Sequence, residues 1–136
     1  MHHTVWGSLK DGYIISINGD IRSLNRTQLI YRKGSLVNKP YKRSIKGKLV
    51  EPRITHKGYK RIQLGKRVKE DYVHRIVLKT FIGIAPTDKH QCDHIDHNKI
   101  NNKVENLEWV TQSENIQRSI KHGSRLKVNR LKGRCW

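Results

Sequence analysis

Cysteine is scarce: the 136-residue chain has two, Cys92 and Cys135, far apart. No CxxC pair is available for a zinc ribbon, and two distant thiols argue against a disulfide framework. An intracellular, reducing setting is therefore expected. Acidic residues are also thin, 11 Asp and Glu against 29 Lys and Arg, for a formal charge of +18. Such an excess repels itself once the chain is compact, and so points to a polyanionic partner. Long apolar runs are missing too. Nothing approaches the ~18 continuous apolar residues of a membrane span, which favours nucleic acid over lipid. The opening MHHTVWGSLKDGY lacks an apolar h-region, so no signal peptide is expected. A hydrophobic share of 35% builds a modest core, enough for one domain or two very small ones.

What is present falls into three regions. YIISINGDIRSL alternates apolar and polar residues on both sides of Asn18-Gly19-Asp20, which predicts a hairpin because Asn and Gly tolerate the positive φ of a tight turn. Residues 34–53, with Pro40, Pro52 and six Lys or Arg, read as a basic, loosely structured connection with short strands. A strand around Tyr59–Leu64, a turn near Gly65–Lys69 and a second run at Tyr72–Val73 repeat the hairpin logic. From His74 the spacing of Ile76, Val77 and Phe81 changes to that of a short amphipathic helix, stopped by Gly83 with Pro86 beyond. In the third region QCDHID and LEWV read as strands joined by the polar loop HNKINNKVEN. Thr111 then caps a helix with Glu114 completing a capping box, and His122-Gly123 ends it. The order is strand, loop, strand, helix.

That third region also concentrates the metal-capable side chains. Asp93 offers a hard carboxylate oxygen of the kind Mg²⁺ prefers, and Asn115 at the helix start offers a second oxygen. His94 neighbours Asp93, so on a strand the two point to opposite faces unless the backbone is kinked. This suits one ligand and one general base, provided a local kink lets both reach the same phosphate. Phosphodiester hydrolysis needs both, since imidazole deprotonates water near neutral pH and a metal ion offsets charge on the phosphate and the leaving 3′ oxygen.

The pattern VHRIVLKTFIG…CDHIDHNKINNKVENLEWVTQSENIQ resembles the HNH, or ββα-metal, nucleases, more narrowly the phage-intron homing endonucleases and free-standing phage HNH enzymes. YIISINGDIRSL is similar to the N-terminal module that often accompanies them. The resemblance implies an α+β fold of small β-hairpin elements followed by a ββα-metal unit. It divides the chain into an N-terminal hairpin module and basic connection (1–53, DNA contact), an HNH nuclease domain (54–122, ββα core at 90–122) and a basic C-terminal tail (123–136). It implies a metal-dependent endonuclease of double-stranded DNA in which Asp93 and Asn115 hold the metal, His94 is the general base and Asn106 holds the loop that orients it. Asn115 stands where many members carry a His, which favours Mg²⁺, with Mn²⁺ as substitute, over tight zinc. One such site per chain cuts one strand, so a double-strand break needs a homodimer or two events. Carried by a phage, such an enzyme would act in the cytoplasm of a bacterial host. The alternative is a non-catalytic nucleic-acid-binding module with a vestigial HNH site.

The remaining features have plainer readings. Asp96 and His97 hydrogen-bond within the loop rather than bind a second metal. His74 packs or hydrogen-bonds in the interior. Trp109 belongs to the core, and Asn101 and Asn102 are turn residues. His2 and His3 are mobile polar residues near a chain end. Basic runs at 42–48, 60–69 and 125–134 grip the DNA backbone, with Arg43, Lys46, Lys60, Arg61, Lys66, Arg67 and Arg75 as the expected contacts and strands of the N-terminal half in a groove.

Overall fold

The computed structural model describes residues 4–31, 39–66 and 68–123; the expected contact Arg67 and the basic tail from 124 lie outside them. Among the described residues eleven short strands and two α-helices follow in order: β1 (Trp6–Leu9), β2 (Tyr13–Ser16), β3 (Ile21–Ser23), β4 (Arg26–Ile30), β5 (Tyr41–Ile45), β6 (Leu49–Val50), β7 (Arg53–Ile54), β8 (Lys60–Ile62), β9 (Asp71–Tyr72), α1 (Val73–Phe81), β10 (His90–His94), β11 (Leu107–Thr111) and α2 (Gln112–Lys121), with short 3-10 turns at Lys10–Gly12 and Val104–Asn106. They form four small antiparallel sheets, ordered β1-β2-β3-β6, β4-β5, β7-β8-β9 and β10-β11. This is the expected α+β architecture of hairpins leading into a ββα unit.

The Asn18-Gly19 hairpin forms as its alternation predicts, with Ile15 opposite Ile21. Its turn is held by the Ser16 hydroxyl oxygen, which accepts from the amides of Asn18 at 3.2 Å and Asp20 at 3.0 Å. The basic connection is more ordered than its composition predicts. It holds β5, β6 and β7, and β5 pairs with residues 26–30, where the alternation alone singles out no strand. Side chains of β4 and β5 are exposed except for the half-buried Ile30 and Ile45, so this two-stranded ribbon owes little to burial.

Helix α1 organises the interior. Val73, Val77 and Leu78 are fully buried and pack with Ile76, Ile15 and Ile21 of the first sheet, Ile62 of β8 and Leu107 of β11. Each such side chain contributes roughly 1.5–3 kcal/mol of burial. The first sheet reaches the helix closely because Gly7 has no Cβ; one built there would collide with Thr80. Beyond the helix, the Gly83 carbonyl accepts from the Trp109 indole at 3.0 Å, which ties the end of α1 to β11 and confirms Trp109 as packed against the core. At α2 the capping box is complete: Glu114 donates its amide to the Thr111 hydroxyl oxygen at 3.3 Å, while its carboxylate accepts from the Thr111 amide at 2.7 Å.

Candidate active site

Two strands of five residues hold the site. β10 and β11 pair without a bulge from His90 opposite Thr111 to His94 opposite Leu107, so the strand has no kink of the kind that would bring Asp93 and His94 to one phosphate. Alternation therefore sends the two side chains to opposite faces. Asp93 faces α2, where its Oδ2 accepts from the Arg118 guanidinium at 3.4 Å; Arg118 also pairs with Glu108, the residue across the ladder from Asp93. Glu108 in turn raises the Arg118 pKa. Asn115, one turn before Arg118 on α2, donates its Nδ2 to Gln91 Oε1 at 3.0 Å. Gln91 and Asp93 lie on the same face of β10, so Asp93 and Asn115 share the seam between strand and helix. With the Asn115 nitrogen engaged by Gln91, the atom it presents to a cation is Oδ1. A carboxylate and an amide oxygen fit a hard divalent ion such as Mg²⁺. Among the described residues no group of three or more His, Cys, Asp or Glu is placed to hold a metal, so such an ion would draw its remaining ligands from water or substrate.

His94 faces the other way and is buried, 4% exposed. Its ring meets His74 edge-on at 5.0 Å between centroids and lies 6.1 Å from the ring of Tyr59. Its Nε2 is 3.1 Å from Oδ1 of Asn102, itself 3% exposed. Burial holds the His74 pKa down at about 4, with the neighbouring His94 adding to the effect. The same side of β10 opens into a cavity of about 590 Å³ lined in part by Tyr59, Tyr72, His74, Trp109, Lys57 and Arg75. Cys92, at its edge, has its thiol pushed up to about 12 by burial and then by Asp93, and so stays protonated at neutral pH.

Asn106 is bonded into the loop, with its side-chain partners at Asp96 and Asn101 and none on the His94 ring. Its Oδ1 accepts from the Asp96 amide at 3.0 Å, and its Nδ2 donates to Asp96 Oδ1 and to the Asn101 carbonyl, both at 2.9 Å. Its backbone carbonyl takes the Ile95 amide at 2.9 Å. The Asp96 carboxylate, held low by the Asn101 side chain and then the Asn98 amide, is a loop acceptor as expected. His97 sits at φ 60 in the tight turn after β10, its ring 3.9 Å from that of His122 at the end of α2.

The expected DNA contacts divide. Arg43, Lys46, Lys66 and Arg75 are exposed, and Lys60 is half-buried. Arg61 is committed inward: it pairs with Glu70 at 3.3 Å and lies 4.8 Å above the Tyr72 ring. Three residues of the site escaped the sequence reading. Arg118 was within reach of it, because i+3 from Asn115 puts both on one helix face. Glu108 needed the hairpin register. For Asn102 no local signal exists, since an Asn in an Asn-rich loop looks like any turn residue.

Comparison with known proteins decides the kinship. Residues 71–117, from β9 through the first half of α2, match the HNH endonuclease family. That segment is similar to HNH endonucleases. The DNA endonuclease I-HmuI of Bacillus phage SP01 is 39% identical over 80 residues, 57% of this chain and 45% of that protein. A prophage-derived HNH homing endonuclease of Bacillus subtilis is 44% identical over 85 residues, 58% of this chain and 49% of its own length. An uncharacterised HNH endonuclease of Acanthamoeba polyphaga mimivirus is 32% identical over 110 residues, 79% of this chain and 31% of its own. The chain thus spans less than half the length of these curated relatives. A solved structure describing DNA binding and cleavage by I-HmuI superposes with a TM-score of 0.62 at 26% identity, covering 95% of this chain and 68% of that one. The HNH likeness therefore extends beyond the ββα unit into the N-terminal hairpins.

Proposed function

We propose that this HNH protein is a metal-dependent endonuclease that hydrolyses phosphodiester bonds of double-stranded DNA, as a homing enzyme of the phage type. The observation that carries this reading is that Asp93 and Asn115 both lie on the β10–α2 seam, with His94 at the end of the same strand, inside the segment that matches the family. Asp93 and the Asn115 Oδ1 would hold Mg²⁺, or Mn²⁺ in its place. A bound divalent ion supplies positive charge to the scissile phosphate and the leaving 3′ oxygen. His94 would take the proton from the attacking water. Asn106 would hold the 95–106 loop so that the end of β10 keeps its shape. Lys57 and Arg75, which line the cavity, would meet phosphate on the His94 side. The 1–53 segment, with its exposed β4–β5 ribbon, would lie in a groove of the duplex, where a two-stranded ribbon fits. Relatives from phage and prophage suit the host cytoplasm as the place of action.

The test is nicking of supercoiled plasmid by the full chain with Mg²⁺ and with EDTA. Activity is expected with the metal alone, and Asp93→Ala or Asn115→Ala should remove it or raise the Mg²⁺ needed. Asn115→His should retain activity, since it restores the commoner ligand. Full activity in chelator would overturn the metal mechanism. A second reading has its own support: His94 is buried and Asp93 is held by Arg118, as in a DNA-binding module whose site is vestigial. Salt-sensitive DNA binding without nicking in Mg²⁺ or Mn²⁺ would favour it.

A further inference from the structure

Asn102 stands between two parts of the molecule. On one side its Oδ1 lies 3.1 Å from the Nε2 of His94. On the other, its Cβ faces the Gly19 turn of the first hairpin, where an added Cβ would come within 3.0 Å of it. The Val104 amide donates to the Ile17 carbonyl at 2.8 Å and fastens the loop to that same turn. Both partners of the His94–Asn102 contact are buried, so the contact is shielded from competing water. An amide oxygen only accepts, so with Oδ1 toward the ring the imidazole nitrogen facing it carries a hydrogen.

From this geometry we infer that Asn102 is a positioning residue that fixes His94 as its Nε2–H tautomer, with the N-terminal hairpin as its backstop. Nδ1 is then the nitrogen whose lone pair receives a proton. The inference rests on His94 being the base of the proposed reaction, but the tautomer itself is measurable without any reaction. It also gives the first hairpin a task besides touching DNA, because that turn seats the residue that orients the base. Asn106 holds the loop, whereas Asn102 touches the ring.

The test is nitrogen NMR of the full, metal-free chain with ring-labelled histidine, at a pH where the ring is neutral, using a His94→Gln spectrum to assign the His94 signals. The wild type should show a protonated Nε2 and a bare Nδ1. Asn102→Ala should shift His94 toward a mixture of tautomers, and Asn102→Asp, which keeps an acceptor, should restore the wild-type signature. Nicking should fall about 10–100-fold in the Ala variant and recover in the Asp variant, the range expected when the orienting partner of a site histidine is lost. A wild-type spectrum with hydrogen on Nδ1 overturns the inference without any variant, so a misfolded Asn102→Ala cannot shelter it. An unchanged His94 signature in a folded Asn102→Ala chain overturns it as well. If the tautomer follows Asn102 but the wild type never nicks DNA, the nuclease reading fails and the positioning role stands.

Discussion

At the scale of the residue, two histidines 5.0 Å apart are set to different tasks by their surroundings. His94→Ala should lower plasmid nicking by about 10²–10⁴-fold while DNA binding stays near wild type, the usual cost of losing a general base. A variant nicking at the wild-type rate would remove His94 from that role. His74 is different: buried among His94, Tyr59 and Tyr72, with Arg75 and Asp71 nearby, it is kept neutral, its pKa lowered from 6.5 to about 4. Above pH 6.5 folded and unfolded chains both carry it neutral, and it adds no pH dependence. As pH falls from 6.5 toward 4 the unfolded chain takes up the proton first. Stability should therefore drop through this window, by roughly 3 kcal/mol at most. The lowered carboxylates make their losses below their ordinary values, 4.5 for Glu70 and Glu114 and 3.8 for Asp96, so urea midpoints at pH 7 and pH 5 separate the histidine from them. His74→Gln should flatten the difference. An equal drop in that variant would show that another group titrates.

At the scale of the element, the ββα unit depends on a loop whose regular structure is a single 3-10 turn at Val104–Asn106. Residues 95–106 are held by the Asn106 side chain from inside and by the 16–20 turn from outside. Gly19 has φ +88, a conformation that an L side chain adopts at a cost of about 1–2 kcal/mol, and a Cβ there would also press on Asn102. Gly19→Ala should thus lower stability by at least that much and reduce nicking further than the stability loss explains, although the residue is remote in sequence from the site. Thermal unfolding and nicking measured on the same sample check this; a fully stable, fully active variant would show that the turn does not brace the loop. The helix on the other side has a different support. Thr111→Ala should cost about 1 kcal/mol through the capping box at the start of α2, which chemical denaturation reads directly.

At the scale of the whole molecule, the +18 charge is the dominant quantity. If about six to ten phosphates are neutralised, log K against log salt should fall with a slope of roughly −5 to −9. Exposed cations such as Lys66 and Arg43 should each flatten that slope by about one when changed to Ala, with similar loss on every sequence, because phosphate contacts carry no base code. Arg61→Ala should behave otherwise. Its guanidinium is taken by Glu70 and the Tyr72 ring, so the loss should register in stability more than in the slope. Binding that ignores salt between about 50 and 200 mM would show that the basic surface serves another partner.

Much of this protein is determined by sequence alone, wherever the causes are local. The Asn18-Gly19 turn, the change of period at His74, the Thr111–Glu114 box and the Asp93–His94 pair all act over a few residues, and each was legible for that reason. The charge needed no structure at all. Tertiary structure decided the rest, because contact across long sequence separations is set by packing. The 26–30 strand exists through its pairing with residues 41–45, and no periodicity announces it. Arg118 meets Asp93 because α2 folds back on β10. Asn102 was one Asn among several until a hairpin more than eighty residues earlier in the chain pressed it against His94. Burial turned it from a turn residue into a partner of the His94 ring, since where water is excluded such a contact meets no competition.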